Sequence, residues 1–328
     1  MITLGIETSC DETAIGVIKD NKVLANIVSS QIDHTKYGGV VPELAARNHI
    51  KVIMSLVKIA LEISELDLGS IDLISVTRGP GLVGALLVGL SFAKALAVAL
   101  NKPFIAVNHL EGHLYALHLD HRVMNYPFLV LLVSGGHTEI ILVKDRFVYQ
   151  TYGKTVDDAC GEAFDKVAKM MGLPYPGGPY IEREAKKGKI GAVKFSVPKP
   201  KFYNFSYSGL KTAVLYYLRD NPEYDRSDIA ANFQNVAIEH LIQVVSKAIA
   251  STKVTSLGIV GGVSVNSRLR EKFNDLAQKM DFSLRIPDIQ YCTDNAVMIA
   301  LAGADRFKEF GPSKLNIDAV SREALDKI

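Results

Sequence analysis

The chain lacks the features that mark exported or disulfide-held proteins. Only three cysteines occur in 328 residues (Cys10, Cys160 and Cys292), far apart and never as Cys-x-x-Cys. That argues against a disulfide framework and suits a reducing, cytoplasmic setting. No basic segment precedes an apolar one in Met1-Ile2-Thr3-Leu4-Gly5-Ile6-Glu7, so no signal peptide is expected. The net charge is only +2, which excludes a surface coated in positive charge yet permits a local basic patch. Pro and Gly are not in excess, and no low-complexity tract is present. With 48% hydrophobic and 22% charged residues, the chain is a folded globular protein of one large or two ordinary domains. A Walker loop is missing, because no Gly-Lys-Thr or Gly-Lys-Ser follows a correctly placed glycine. One run, Gly81 to Leu100, nears the length of a membrane span. Lys94 falls inside it, glycines interrupt its first half and a strand pattern follows, so a buried helix is expected and no membrane association.

What is present is a repeated pattern. Thr3 to Glu7 reads as a strand, Thr8 to Thr13 as a polar turn, Ala14 to Lys19 as a returning strand and Val23 to Val28 as a third. The same unit recurs at Phe128 to Val133, Ile140 to Lys144 and Phe147 to Tyr152, implying two related halves. Helical spacing follows each half: His49 to Ile63, Leu82 to Leu100, Asp157 to Met171, Leu210 to Arg219, Asp228 to Ser251, Ser267 to Lys279 and Asn295 to Phe310. Ile71 to Thr77 and Ser256 to Val260 read as buried strands, which makes the whole an α/β protein. The expected division is a first lobe of residues 1–106 with 290–328 and a second of 107–289, carrying a loop-rich insertion at 175–208.

Three kinds of motif carry chemistry. His109 and His113 lie one helical turn apart on one face and can chelate a divalent metal. Glu111, about 200° round the helix from His109, points elsewhere, so this is not the His-Glu-x-x-His protease motif. Taken alone, the pair also reads as two ordinary polar helix residues. Asp294 reads either as a helix N-cap or as a third ligand in a two-His, one-carboxylate site. Ser134-Gly135-Gly136 suits converging backbone N–H groups on a phosphate, or simply a tight hairpin. Gly261-Gly262-Val263 ends a strand and leaves Asn266 free to bond a nucleotide, and Pro176-Gly177-Gly178-Pro179 is a third Cβ-poor loop. A lysine-rich stretch (Lys186, Lys187, Lys189, Lys194, Lys199 and Lys201) precedes Phe202, Tyr203, Phe205 and Tyr207. It fits either an RNA-contacting surface or a solvated loop with its aromatics packed inward.

These residues resemble the TsaD (Gcp) family in its bacterial branch. The resemblance rests on Ile6-Glu7-Thr8-Ser9-Cys10-Asp11-Glu12-Thr13, Tyr37-Gly38-Gly39-Val40-Val41-Pro42-Glu43, Gly79-Pro80-Gly81-Leu82 and His109-Leu110-Glu111-Gly112-His113-Leu114. It continues through Ser134-Gly135-Gly136-His137-Thr138, Gly161-Glu162-Ala163-Phe164-Asp165-Lys166 and Phe205-Ser206-Tyr207-Ser208-Gly209-Leu210-Lys211-Thr212, almost end to end. It implies a duplicated fold of the actin, Hsp70 and sugar-kinase (ASKHA) type. The implied reaction moves threonylcarbamoyl from threonylcarbamoyl-AMP to N6 of adenosine 37 in ANN-decoding tRNAs, forming t6A. His109, His113 and Asp294 would then hold iron, or less favourably zinc. Leu132, Val133, Ser134, Gly135, Gly136, Asp165, Gly178, Glu182 and Asn266 would bind the adenylate, a site that ATP, ADP or AMP can also occupy. Asp11 matches a position important for activity, read here as accepting a proton or orienting the amine, or as a structural turn residue. Implied partners are a TsaB-like paralogue forming a heterodimer around His49 to Ile63, a TsaE-like ATPase, a TsaC-like enzyme supplying the adenylate, and tRNA. A metallo-endopeptidase, a kinase or ATPase of the same fold, and a nucleotide-binding scaffold are the competing classes.

Overall fold

In the computed structural model, which describes residues 1–31, 40–121 and 124–328, each repeated hairpin pattern seeds one five-stranded sheet. The first sheet contains β1 (Ile2–Glu7), β2 (Glu12–Lys19) and β3 (Lys22–Ser30), joined antiparallel. Helix α1 (Pro42–Ile63) leads to β4 (Leu73–Gly79), and α2 (Val83–Leu100) leads to β5 (Phe104–Asn108). These crossovers set β4 and β5 parallel, giving the order β3-β2-β1-β4-β5. A short helix, α3 (His109–Tyr115), follows at once.

The second sheet repeats the plan. β6 (Phe128–Val133), β7 (Thr138–Asp145) and β8 (Val148–Lys154) are antiparallel neighbours. After α4 (Cys160–Met170), α5 (Gly177–Ala185), α6 (Ser208–Asp220) and α7 (Arg226–Thr252) comes β9 (Ser256–Val260), parallel to β6. Helix α8 (Ser267–Met280) then delivers β10 (Ser283–Arg285), and α9 (Ala296–Phe310) is the last long helix. Read from its outer hairpin strand, this sheet runs β8-β7-β6-β9-β10, the order of the first. Every residue of β6 is buried, as expected of a central strand covered on both faces.

The chain forms two compact units, Met1–Val123 with Thr293–Ile328, and Met124–Cys292. The first keeps α3, which the boundary at 106/107 had assigned to the second lobe, because α3 packs on α9. Helix α9 also lies on β1 and β2, where two glycines allow the backbones to meet. A Cβ on Gly5 would sit 2.0 Å from the Ala296 carbonyl oxygen, and one on Gly16 would sit 2.6 Å from the Val297 nitrogen. The cores follow the units: Leu4, Ile6, Ile15 and Leu90 in the first, and Leu131, Phe164, Phe233 and Leu257 in the second.

Two expectations change. Segment 175–208 is not all loop, since α5 occupies its start and buries Ile181 and Ala185 one turn apart. That is too short a repeat to show among prolines and glycines. Helix α2 is long and apolar enough to cross a membrane, yet one face packs on β4 and α1 through Leu86, Leu90 and Ala93. Its Lys94 donates to the Ile317 carbonyl at 2.5 Å. The other face leaves Val83, Leu87 and Val98 exposed, so the helix is half-buried rather than buried throughout.

Candidate functional site

The first unit gathers the candidate metal-ligating residues. Strand β5 ends at Asn108, whose Oδ1 accepts the Leu110 and Glu111 N–H groups at 2.9 and 3.2 Å and so starts α3. Such a cap contributes about 1 kcal/mol, and it places His109 and His113 on one helix face with ring centroids 4.8 Å apart. At the start of α9 the cap is Asn295, whose Oδ1 accepts the Met298 N–H at 3.0 Å. Asp294 is therefore not the N-cap. Its Oδ1 lies 3.1 Å from His113 Nε2 and 3.5 Å from His109 Nε2. One ligand atom from each of the three residues falls within 4.8 Å of the others. Two imidazoles and a carboxylate fit a divalent transition metal such as iron or zinc.

A carboxylate behind the histidine strengthens that fit. His109 Nδ1–H donates to Glu7 Oε2 at 3.0 Å, which turns Nε2 toward Asp294. This is the carboxylate–histidine arrangement that fixes a ligand's tautomer. Glu7 is fully buried and also accepts from the Ser9 N–H at 2.5 Å and from the Thr77 hydroxyl. Burial would raise its pKa, but His109 and the Ser9 contact hold it below the usual carboxylate range. Burial pushes His109 down, yet Asp294 and Glu7 outweigh it and carry the imidazole up to about 9. The pocket thus favours positive charge, which a metal ion would supply in place of that proton.

Asp11 occupies the β1–β2 turn beside this cluster. Burial, then Asp294 and Asp11, push the adjoining Glu12 carboxyl well above its ordinary range, so Glu12 holds its proton. Glu111 faces away, buried in an ion pair with Arg306. Sequence reasoning assigned no role to Glu7 or Glu12. The signal available was a charged residue ending an apolar strand.

The second unit holds every proposed adenylate residue. Leu132 and Val133 have fully buried side chains, so only their backbone leads into the turn. That turn closes as a hairpin with its glycines open. Ser134 N–H donates to the His137 carbonyl at 2.8 Å, closing a hairpin. Gly135 and Gly136 meanwhile stay exposed, with open space where a Cβ would stand. Gly161, at the start of α4, donates its N–H to the Ser134 carbonyl at 3.1 Å. Asp165 accepts the Gly177 N–H at 2.6 Å and so fixes the start of α5, where Gly178 is open.

Glu182, further along α5, accepts from Ser267 Oγ at 2.5 Å and pairs with Lys186 at 3.0 Å. Burial would raise its carboxyl, but Ser267 and Lys186 hold it low. Gly261, at φ +95°, lets the β9 end pass so near β6 that a Cβ would meet the Val133 carbonyl oxygen at 2.4 Å. Asn266 is not free, contrary to the sequence reading. Its Oδ1 caps α8 by accepting the Leu269 N–H at 3.0 Å, and its Nδ2 donates to Gln234 at 2.8 Å. A cavity of about 230 Å³ opens among Lys186, Gln234, Asn235, Ser267 and Arg268, of which the sequence singled out only Lys186.

The lysine-rich segment sorts itself. Lys186 and Lys187 are spent in ion pairs with Glu182 and Glu184. Phe205 and Tyr207 are fully buried against His240, so two of the four aromatics pack inward. Tyr37-Gly38-Gly39 lies outside the described residues.

Comparison with known proteins agrees with this chemistry. A family model described as "TsaD: tRNA N6-adenosine threonylcarbamoyltransferase" matches residues 22–301. A tRNA N6-adenosine threonylcarbamoyltransferase of Thermosipho africanus is 50% identical, covering 98% of both chains. One of Thermotoga neapolitana is 47% identical, covering 97% of this chain and 98% of that one. Among solved structures, T. kodakarensis HypF matches with TM-score 0.65 at 15% identity, over 94% of this chain and 48% of that one. The Acidaminococcus fermentans (R)-2-hydroxyglutaryl-CoA dehydratase component A matches with TM-score 0.58 at 15% identity, over 93% and 98%. At such identity these two show the fold alone, the duplicated α/β architecture of the ASKHA type. With a candidate metal-binding triad in one unit, Cβ-free turns in the other and near-complete matches at half identity, the chain belongs to the TsaD family of tRNA N6-adenosine threonylcarbamoyltransferases.

Proposed function

We propose that the chain transfers threonylcarbamoyl from threonylcarbamoyl-AMP to N6 of adenosine 37 in ANN-decoding tRNAs, forming t6A. The observation that carries this reading is the His109–His113–Asp294 triad, backed by Glu7, in a chain of this family. An exocyclic amine is a weak nucleophile, but a mixed anhydride with AMP is an activated acyl donor. The N6 lone pair forms a bond to the carbamoyl carbon, the carbon–oxygen bond to phosphate breaks, and AMP leaves as N6 loses a proton. His109, His113 and Asp294 would hold a divalent ion, iron in preference to zinc, which would supply a Lewis acid for the threonyl end and for charge developing at the carbonyl. The Gly135 and Gly136 N–H groups bind the phosphate and ease its departure. Asn235 and Arg268 line the space that takes the nucleoside, and Glu182 accepts from Ser267 in its wall. Asp11 orients the amine or accepts its proton.

The competing endopeptidase loses its general base, because Glu111 is committed to Arg306. The apolar residues left exposed on α1 (Ile50, Met54, Ile63) and α2 (Val83, Leu87) support a heterodimer with a TsaB-like paralogue. A TsaE-like ATPase and a TsaC-like adenylate source complete a cytoplasmic system.

The test is t6A formation on unmodified tRNA, read by nucleoside mass spectrometry, with threonylcarbamoyl-AMP and the partner proteins supplied. Product that disappears in the His109→Ala, His113→Ala double variant supports reaction and metal site together. Full product from that variant would refute the metal's role, and none from the wild type would refute the reaction.

A further inference from the structure

Phe202 is the most exposed large apolar residue among those described, at 82%. Its backbone is also in the left-handed region, at φ +57°, which a bulky residue adopts only at a cost. Neither the strain nor the exposure is offset by packing of its ring. The turn beneath it is firmly seated. Asn204 N–H donates to the Lys201 carbonyl at 3.4 Å, and Asn204 Oδ1 accepts the Lys154 N–H at 3.2 Å. Phe205 N–H donates to the Lys154 carbonyl at 3.0 Å. The Tyr203 ring packs on Tyr152, with centroids 4.5 Å apart. Gly153 admits the turn so closely that a Cβ there would sit 2.0 Å from the Tyr203 carbonyl oxygen. One aromatic ring is thus held outward on a rigid mount, while its neighbours in sequence pack inward.

Charge near the ring in sequence points to its partner. Lys199 and Lys201 are exposed and make no ion pair with a described residue, in contrast to Lys186 and Lys187. A protein-docking patch would be a contiguous apolar area; here a single exposed ring follows two exposed lysines in the chain. A π-face flanked by ammonium groups matches an unpaired base flanked by phosphates.

We propose that Phe202 stacks on an unpaired base of the tRNA substrate while Lys199 and Lys201 meet the neighbouring phosphates. This rests on the tRNA-modifying reading above. The decisive variant is Phe202→Asn, because Asn tolerates the left-handed turn and removes only the ring. With the full chain and its partner proteins, tRNA affinity and t6A kinetics are measured together. The expected result is roughly 5- to 100-fold weaker tRNA binding. It appears as a raised KM for tRNA with kcat and thermal midpoint preserved, and Phe202→Tyr restores affinity. Wild-type tRNA affinity in Phe202→Asn, while the wild type makes t6A, overturns the Phe202 role alone. Loss of partner retention with tRNA affinity intact also overturns it, making the ring a protein contact. A wild-type chain that neither binds tRNA nor makes t6A removes the parent reading and this one with it.

Discussion

At the scale of single residues, the informative side chains have their hydrogen bonds arranged by neighbours rather than by their own position. Glu7 holds His109 through Nδ1 and leaves Nε2 for a ligand. Glu7→Gln keeps the size but removes the charge that favours a metal-bearing imidazole. It is expected to weaken metal affinity 10- to 100-fold, measured by chelator competition, with all three ligands still present. Unchanged affinity would reduce Glu7 to a strand-end support. Asn266 carries the opposite lesson. An asparagine after a Gly-Gly strand end reads as a ligand contact, but its side chain is occupied by α8 and Gln234.

At the scale of elements, α7 and the segment before α6 meet at a histidine that behaves as a neutral acceptor. His240 is buried, and its Nε2 accepts the Ser206 N–H at 3.2 Å, with the Phe205 and Tyr207 rings edge-on. Burial drives its pKa down to about 4, against the pull of Asp157 and with a smaller push from Lys247. In the unfolded chain the imidazole titrates near 6.5. Between those values the unfolded chain binds a proton that the folded chain refuses. Stability is therefore complete above about pH 6.5 and falls as pH drops toward 4, by at most about 3 kcal/mol. Urea midpoints taken from pH 7 to pH 4.5 should decline in the wild type and decline less in His240→Gln. Parallel curves would remove His240 from the acid response. Helix α5 shows why element boundaries were harder to read than element types. Only Ile181 and Ala185 mark its buried face, and flanking glycines and prolines hide so short a period.

At the scale of the whole molecule, the repeated sheet order binds two units of unlike chemistry, each with its own core. The exposed apolar residues of α1 and α2 belong to the first unit. Leu87→Glu is expected to abolish stable association with a TsaB-like partner in size-exclusion chromatography while changing unfolding free energy by no more than about 0.5 kcal/mol. Retained association would move the interface elsewhere. The sequence by itself determined what depends on local period: two strand–turn–strand repeats, the long helices, and a histidine pair spaced one helical turn apart. It also carried enough family pattern to name Asp294 as a candidate ligand. Tertiary structure alone decided which polar groups meet. Asp294 reaches His113 across 181 positions because α9 lies on β1 and β2 at Gly5 and Gly16. Glu7 reaches His109 across 102 positions, from the adjoining end of the first sheet. Tertiary packing likewise buried Phe205 and Tyr207 and left Phe202 in solvent. Such pairings leave no period in the chain, since they are set by how closely two backbones can approach and not by the spacing of residues along either one.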